Sequence, residues 1–322
     1  MSLKNKVVAV TGGAGFVGSH LVDSLINEEP EEILVIDNYF LGLNSNLKNV
    51  LSQSNSVRVA PLNLACWNEV AHIFEETTID IVFDLATVPL PFSLKCPVEA
   101  YLMNIDMGIT VAELARLDLF KTLVHFSTSE VYGTCVKSPM DESHPLNGRT
   151  TYAASKAAVD QLLLSYYHTF GIDVSIIRPF NIYGPRQNAG SYAAVIPITI
   201  HRLLEGKRPV ICGDGLQTRD YTYVTDITNA AIKFYNKKNT RGRYINVASG
   251  KELSVIDLVL KICRIMKHKD GLEFRPERLG DVRKHIADIS CAKACIGYNP
   301  EVTLETGIAK TVEWYTNPEN KT

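Results

Sequence analysis

The segment Val7–Leu21, VVAVTGGAGFVGSHL, decides the fold. A short apolar run leads directly into a glycine-rich turn, and a helical pattern follows the turn. Gly12, Gly15 and Gly18 are spaced so that the chain can turn tightly and leave backbone without Cβ atoms where a pyrophosphate approaches. The first amides of the helix would then face the phosphates. The segment therefore predicts a strand, a turn and a helix that bind a dinucleotide.

The same alternation of strand and helix continues through the first half of the chain. Further short apolar runs, separated by helical patterns, lie at 32–37, 57–62, 80–86, 122–127 and 174–180. This predicts an α/β fold with a Rossmann-type, doubly wound parallel sheet covered on both faces. The pattern becomes irregular after residue 182. We therefore expect a Rossmann domain over 1–181, which also receives the strand near 244–249, and a smaller mixed α/β lobe over 182–322.

An acidic residue at the end of the second predicted strand indicates which dinucleotide binds. Asp37 lies nineteen residues after Gly18 and is followed by Asn38 rather than by an arginine. A carboxylate there can accept hydrogen bonds from both adenosine ribose hydroxyls and would repel a 2′-phosphate, so NAD is favoured over NADP. The predicted cofactor contacts are Gly12, Gly15, Phe16, Val17, Gly18, Asp37, Asn38, Asn63, Leu64, Leu85, Ala86, Asn104, Tyr152 and Lys156.

Composition limits the other partners. The 322 residues are 46% hydrophobic with a formal net charge of −2, and no basic block favours nucleic acid. No apolar stretch approaches the roughly 18 residues that a membrane span needs. The seven cysteines are scattered and never spaced C-x-x-C. This pattern favours free thiols over a metal site, and a cytoplasmic location.

Tyr152 and Lys156, in TYAASK, are four residues apart at the start of a helical pattern and share one face of it. A phenol has a pKa near 10, which makes it a poor base at neutral pH. An ammonium one turn away, together with a positive nicotinamide ring, would stabilise the phenolate and lower that pKa. The pair therefore predicts a general base beside a dinucleotide.

Together these motifs resemble the extended short-chain dehydrogenase/reductases of the nucleotide-sugar epimerase/dehydratase type. The matching segments cover nearly the whole chain: TGGAGFVGSH, STSEVYG, YAASK, RPFNIYGPRQ, GDGLQTRDYTYVTD and RLGDVRKHIADIS. The resemblance implies that the substrate is a nucleotide-diphosphate sugar, with a UDP-sugar favoured, and that residues 182–322 bind it. It also implies a homodimer formed through two long helices per subunit, here 98–117 and 152–170, whose apolar stripes exceed the needs of one core.

The resemblance assigns further site residues. Thr128 joins Tyr152 at the sugar 4-hydroxyl, and Lys156 also holds the nicotinamide ribose. Substrate contacts are expected from Asn181, Val195, Arg219 and Arg278. The two arginines suit a diphosphate because their planar fork can donate two hydrogen bonds to one phosphate. Two positions depart from the family pattern: Asp84 replaces a histidine or asparagine, and Asn63 replaces an aspartate near the adenine. Neither is expected to take part in the chemistry.

Glu130, in STSEVYG, bears on the reaction. All members open by oxidising C4 of the sugar, but only a 4,6-dehydratase must then remove the C5 proton. A 4-epimerase and a decarboxylase that forms a β-keto acid need no such base. Glu130 therefore favours a 4,6-dehydratase, with Ser129 as a weaker partner for the leaving C6 hydroxide than the aspartate that many dehydratases use. A UDP-glucuronate-type decarboxylase and then a UDP-sugar 4-epimerase remain alternatives. A non-catalytic dinucleotide sensor is disfavoured because both Tyr152 and Lys156 are present.

Overall fold

The computed structural model of this chain describes residues 2–190, 192–278 and 280–320; Met1, Ser191, Leu279 and 321–322 lie outside it. Its strands are β1 (Val7–Thr11), β2 (Glu32–Ile36), β3 (Val57–Ala60), β4 (Ile79–Asp84), β5 (Phe120–Phe126), β6 (Val174–Pro179), β7 (Asn181–Tyr183), β8 (Val210–Cys212), β9 (Thr218–Tyr223), β10 (Tyr244–Val247), β11 (Glu252–Ser254) and β12 (Glu273–Arg275).

Helices follow most of these strands. They are α1 (Phe16–Ile26), α2 (Asn44–Gln53), α3 (Trp67–Glu76), α4 (Leu90–Ser93), α5 (Pro97–Arg116), α6 (Thr151–Phe170), α7 (Val195–Leu204), α8 (Val224–Asn236), α9 (Val255–Ile265), α10 (Ser290–Ile296) and α11 (Leu304–Thr316). Within the described ranges, no helix is both long and apolar enough to cross a membrane.

A seven-stranded parallel sheet, in the order β10-β6-β5-β4-β1-β2-β3, forms the centre of the molecule. Successive residues of a strand face opposite sides of the sheet. Val8 and Val10 accordingly pack with α1 and α8, while Ala9 belongs to the core on the other side, with α3, α5 and α6. Both sides are apolar because helices cover both. The predicted α/β fold with a doubly wound parallel sheet is confirmed.

The strands outside this sheet are short. β11, β9 and β7 form one small sheet, and β12 pairs with β8 in another. They pack with α7, α9 and α11 around a separate apolar cluster that includes Tyr183, Ile200 and Leu258. The chain returns to the central sheet through β10, which pairs with β6. The division into lobes at residues 181 and 182 stays a prediction.

The order of the central sheet reverses between β1 and β4. From β1 the chain moves outward to β2 and β3, and it then crosses back to β4, which lies on the other side of β1. At such a reversal, the loops after the two strands separate and leave a crevice at their carboxyl ends. The fold therefore places a binding site after Thr11 and Asp84.

The predicted homodimer has a candidate surface on α5. Val98, Leu102 and Ile109 lie on one face of this helix and are 70%, 53% and 42% exposed. We expect light scattering to give the mass of a dimer, and Leu102→Glu to give a monomer because it buries a charge in the interface. Leu51→Glu, at a similarly exposed leucine of α2, is the control and should leave the dimer intact. A wild-type monomer at micromolar concentration would contradict the prediction.

Candidate active site

Two cavities lie at the carboxyl end of the central sheet. The smaller, of about 280 Å³, lies against the glycine turn, and the larger, of about 480 Å³, extends towards the small sheets. Val17, Leu85 and Thr87 line both cavities. Because they share these walls, the two cavities adjoin, and a ligand in one can meet a ligand in the other.

The glycine turn packs closely against neighbouring backbone only because it has no side chains. Gly12 has φ of 64°, and a Cβ there would lie 2.9 Å from the backbone nitrogen of Ala86. A Cβ on Gly18 would lie 2.2 Å from the carbonyl oxygen of Gly12. The turn thus brings the first amides of α1 to the wall of the smaller cavity. This arrangement fits the pyrophosphate of a dinucleotide.

Asp37 lies at the end of β2 on the wall of the smaller cavity. Its carboxylate accepts hydrogen bonds from the backbone nitrogens of Ala14, at 2.9 Å, and Tyr39, at 2.8 Å. Burial raises the pKa of Asp37, while these backbone hydrogen bonds lower it. Each oxygen keeps a lone pair for a second donor. The contact of Asp37 with the adenosine ribose of the cofactor stays a prediction.

Most of the predicted cofactor residues line this cavity: Gly12, Gly15, Phe16, Val17, Gly18, Asp37, Asn38, Asn63, Leu64, Leu85 and Ala86. Asn104 does not line either cavity. Its buried side chain accepts a hydrogen bond from Val88 N at 2.8 Å and donates to Val88 O at 3.2 Å and to Ser155 Oγ at 3.0 Å. Asn104 thus joins the segment after β4 to α6, and its contact with the cofactor stays a prediction.

The predicted catalytic residues come together in the larger cavity, which is lined by Thr128, Ser129, Glu130, Tyr152 and Lys156. Thr128 follows β5, and its Oγ1 accepts from the backbone nitrogen of Glu130 at 3.2 Å. Tyr152 lies in the first turn of α6, which begins after Thr150 because the Thr150 hydroxyl accepts from the backbone nitrogen of Ala153 at 3.1 Å.

In the protein chain without NAD, the pKa of Tyr152 is raised rather than lowered. Burial raises the pKa of Tyr152 to about 12, the hydroxyls of Thr128 and Thr87 lower it, and Glu130 raises it. The ammonium of Lys156 instead points towards β5 and donates to Phe126 O at 2.7 Å. The tyrosine is therefore protonated in this state.

Lys156 has a second contact that sequence reasoning missed. Its Nζ lies 3.2 Å from His125 Nε2, and His125 Nδ1 lies 2.6 Å from Asp84 Oδ2. Burial lowers the pKa of Lys156, and the charge of Asp84 opposes this effect. Asp84, which was expected to take no part in the chemistry, thus reaches the lysine through one side chain.

Glu130 lines the larger cavity, and its carboxyl is buried there. Burial raises the pKa of its carboxyl; Arg219 lowers it and Asp281 raises it again. The carboxyl makes no hydrogen bond to the described part of the chain. Its charge also acts on Tyr152, so the two groups are near one another. Glu130 can therefore exchange a proton with a ligand held at Tyr152.

The predicted substrate residues Asn181, Val195, Arg219 and Arg278 all line the larger cavity. Arg219 donates to Thr218 O at 2.8 Å and to Val282 O at 2.7 Å, and it pairs with Asp281. Its guanidinium is thus held in place before any diphosphate binds. Leu279, in the RLGDVRKHIADIS motif, lies outside the described residues.

Several buried polar groups of the larger cavity lack a partner among the described residues, and three of the residues that carry them were not predicted. Asn181 Oδ1, Gln187 Oε1, Gln217 Oε1 and Tyr221 OH are buried, belong to residues that line the cavity, and have no partner among the described residues. Unpaired buried polar groups are costly, so their presence indicates a polar ligand. The three residues that were missed, Gln187, Gln217 and Tyr221, lie within RPFNIYGPRQ and GDGLQTRDYTYVTD. Their place in these motifs was the signal that could have identified them. No described group of three or more His, Cys, Asp or Glu residues could hold a metal ion.

The fold has a glycine turn beside a cavity that contains a tyrosine and a lysine one helical turn apart. This combination defines a dinucleotide-dependent enzyme of the short-chain dehydrogenase/reductase type. Residues 8–248 match the NAD dependent epimerase/dehydratase family, and the chain belongs to it. The predicted cofactor, NAD, is confirmed by this membership and by structural neighbours solved with NAD.

Relatives with different reactions resemble this chain to a similar degree. UDP-glucose 4-epimerase of Mycolicibacterium smegmatis is 34% identical over 96% of this chain and 98% of its own. UDP-glucuronic acid decarboxylase 6 of Arabidopsis thaliana is 31% identical over 94% of this chain and 87% of its own. Sequence identity alone therefore does not select the reaction.

Solved structures show the same similarity across reactions. UDP-glucose 4-epimerase of Thermotoga maritima, solved with UDP-glucose, superposes with a TM-score of 0.90 at 30% identity and covers 96% of this chain and 98% of its own. dTDP-glucose 4,6-dehydratase of Bacillus anthracis, solved with NAD, has a TM-score of 0.87 at 27% identity and covers 98% of both chains. The fold is thus shared by epimerases and dehydratases.

Proposed function

We propose that this protein is an NAD-dependent 4,6-dehydratase of a nucleotide-diphosphate sugar, with a UDP-sugar as the favoured substrate. The observation that carries the proposal is Glu130, whose carboxyl is enclosed in the cavity of Tyr152, makes no hydrogen bond to the described chain, and has a raised pKa because of burial. A carboxyl group of this kind suits proton transfer at neutral pH.

The first step is oxidation at C4 of the sugar. Tyr152 removes the proton of the 4-hydroxyl, and Thr128 holds the same oxygen. Bound NAD supplies a hydride acceptor that later returns the hydride. Lys156 holds the nicotinamide ribose and favours the phenolate form of Tyr152 once the positive ring is present. The resulting 4-ketone makes the neighbouring C5 proton acidic.

Glu130 acts in the second step. Its carboxylate removes the C5 proton, the C5–C6 double bond forms, and the C6 hydroxide leaves and takes up a proton to become water. Ser129 lies beside Glu130 and can donate a hydrogen bond to the leaving oxygen. Hydride return to C6 and a proton at C5 then give a 4-keto-6-deoxy sugar. The two protons removed, one held by Tyr152 and one by Glu130, are thus returned to the leaving hydroxide and to C5.

The charges around Glu130 support a neutral hexose rather than a uronic acid. The charged groups that act on its pKa are Arg219 and Asp281, which already form an ion pair with one another. A substrate carboxylate at C6 that faced Glu130 would meet another carboxylate, and two neighbouring carboxylates repel. This arrangement favours dehydration over decarboxylation.

A UDP-sugar 4-epimerase is the second candidate. It is favoured by the 34% identity with the mycobacterial UDP-glucose 4-epimerase and by the UDP-glucose complex of the Thermotoga structure. Both relatives also support uridine as the base. An epimerase would have no use for the carboxyl of Glu130, and for this reason we place the dehydratase first.

Mass spectrometry of the products separates the candidate reactions. We expect NAD-loaded protein incubated with neutral UDP-hexoses to give a product lighter by one water, and the matching UDP-uronates to remain unchanged. The loss of carbon dioxide from a uronate would establish a decarboxylase. An unchanged mass with inverted C4 would establish an epimerase, and either result would overturn the proposal.

We also propose that the protein works in the cytoplasm. All seven cysteines are free, including Cys291 and Cys295, whose sulfurs lie 3.8 Å apart on α10. Free thiols this close are typical of a reducing compartment.

A further inference from the structure

Three neighbouring strands of the central sheet end in polar residues at the same level. Thr11 of β1 is the register partner of Asp84 of β4, and Asp84 is the register partner of His125 of β5. Paired residues of parallel strands point to the same side of the sheet. The side chains are 0%, 3% and 2% exposed. Three polar groups thus form a row under the active site, where apolar side chains would otherwise be expected.

Hydrogen bonds join this row to Lys156. Thr11 Oγ1 donates to Asp84 Oδ1 at 2.6 Å, Asp84 Oδ2 lies 2.6 Å from His125 Nδ1, and His125 Nε2 lies 3.2 Å from Lys156 Nζ. Thr11 Oγ1 also accepts from Leu85 N and Ala86 N, each at 3.1 Å, and both of these residues line the cofactor cavity. The row therefore connects the cofactor side of the site to its lysine.

The protonation of the row follows from its partners. Burial alone would raise the pKa of Asp84. The hydrogen bond and charge of His125, together with Lys156 and Thr11, instead hold this pKa below its ordinary value, so Asp84 is a carboxylate. A carboxylate only accepts, so His125 Nδ1 carries a proton. Burial and the charge of Lys156 lower the pKa of His125, which leaves Nε2 as an acceptor for the lysine ammonium. The buried charges of Asp84 and Lys156 then balance.

We propose that Asp84, acting through His125, is a positioning residue that keeps Lys156 charged and directs it during C4 oxidation. One N–H of the ammonium is held by His125 and one by Phe126 O. The third is left for the nicotinamide ribose. This inference rests on the proposed function, since it assumes that the ammonium of Lys156 assists the oxidation.

The other charged groups near Lys156 do not replace Asp84. Asp160 of α6 also opposes the lowering of the lysine pKa, but it forms a buried ion pair with Arg178 of β6 at 2.7 Å. Tyr152, on the same helix, is protonated in the chain alone, where burial raises its pKa to about 12. Of the two carboxylates that act on the pKa of Lys156, Asp84 is therefore the one whose charge is not already balanced by an arginine.

Asp84→Asn should narrow the pH range of the NAD-loaded enzyme. Without the negative charge, the buried ammonium loses its proton at a lower pH, and the imidazole is no longer fixed as an acceptor. The alkaline limb of kcat should move down by about one pH unit, the lower end of the effect of a nearby charge. The KM for the sugar should stay the same, because the row does not line the sugar end of the cavity.

Asp80→Asn is the matched control. Asp80 lies at the other end of β4 and pairs with Lys6 and Lys121 near the surface. The Asp80→Asn variant loses the same charge from the same strand, and it should keep the wild-type pH profile. His125→Gln serves if Asp84→Asn does not fold, because it retains an acceptor towards Lys156 but breaks the link to Asp84. It should move the limb in the same direction but by less, because Asp84 keeps its charge.

A second measurement separates this inference from the reaction assigned above. ¹⁵N NMR of histidine-labelled, NAD-bound wild type, with His125 assigned by its loss in His125→Gln, should show a neutral ring protonated at Nδ1 at pH 7. An Nε2-protonated ring, or an unshifted alkaline limb in folded Asp84→Asn, would overturn the inference. A different sugar product with the shifted limb intact would overturn only the dehydratase proposal.

Discussion

Glu130→Gln is expected to stop product formation while C4 oxidation continues. The amide keeps the size of the side chain but cannot accept the C5 proton. Product should fall about 10²–10⁴-fold, the usual contribution of a positioned base. Because Tyr152 and Lys156 are unchanged, the absorbance of reduced nicotinamide should appear on mixing with substrate and then persist. Stopped-flow absorbance and mass spectrometry of the product measure the two steps separately.

Glu142→Gln provides the control for this variant. Glu142 is also partly buried, but it lies outside both cavities and accepts from the backbone nitrogen of Asn246 at 2.8 Å, which an amide oxygen can still do. It should retain wild-type turnover. In D₂O the wild type should place deuterium at C5 of the product. Near-normal turnover by Glu130→Gln would show that the carboxylate is structural and would end the dehydratase interpretation.

Tyr152→Phe is expected to abolish turnover and leave NAD binding unchanged. The ring keeps its packing, but the oxygen that takes the 4-hydroxyl proton is removed, a loss of about 10²–10⁴-fold or more. The phenol must lose its proton before it can act as a base, and burial raises its pKa to about 12 in the chain alone. The wild-type rate should therefore rise with pH until the phenolate, which Lys156 and bound NAD favour, is fully formed. Initial rates against pH and calorimetry with NAD test both statements.

Tyr166→Phe on the same helix is the comparison for this loss. Its hydroxyl donates to Glu113 at 2.5 Å, away from both cavities, so turnover should be unaffected. Should Tyr152→Phe keep more than about a tenth of the wild-type rate, the loss would be under about 1.4 kcal/mol, too small for a general base. The role of Tyr152 would then have to be abandoned.

The sequence predicts the central sheet well because its signals are local. The apolar run 7–11 coincides with β1, and the glycines that follow it require a turn whatever the rest of the chain does. The two small sheets, one of β11, β9 and β7 and the other of β12 and β8, were not predicted. Several of their strands have only three residues, too few to show a period of two, so tertiary packing rather than pattern determines them.

The site was predictable where one motif holds both partners, as with Tyr152 and Lys156. The contact between Asp84 and His125 was not, because it depends on β4 and β5 being neighbours and on their register. A departure of Asp84 from the family pattern was visible, but its partner lies forty-one residues further along the chain. The hydrogen bonds by which Asn104 joins two segments were not predicted either, because they too depend on tertiary packing.

The return of the chain through β10 has a consequence for biosynthesis. β6 is buried along its whole length, but its outer neighbour comes from residues 244–247, more than sixty residues later. Until that segment leaves the ribosome, the nascent chain carries an apolar strand with one row of unpaired amides and carbonyls, which is open to pairing with other chains. The nucleotide-sugar side of the cleft is largely synthesised during this interval. The central sheet is therefore complete only after most residues that line the larger cavity, among them Asn181, Val195 and Arg219, have been synthesised.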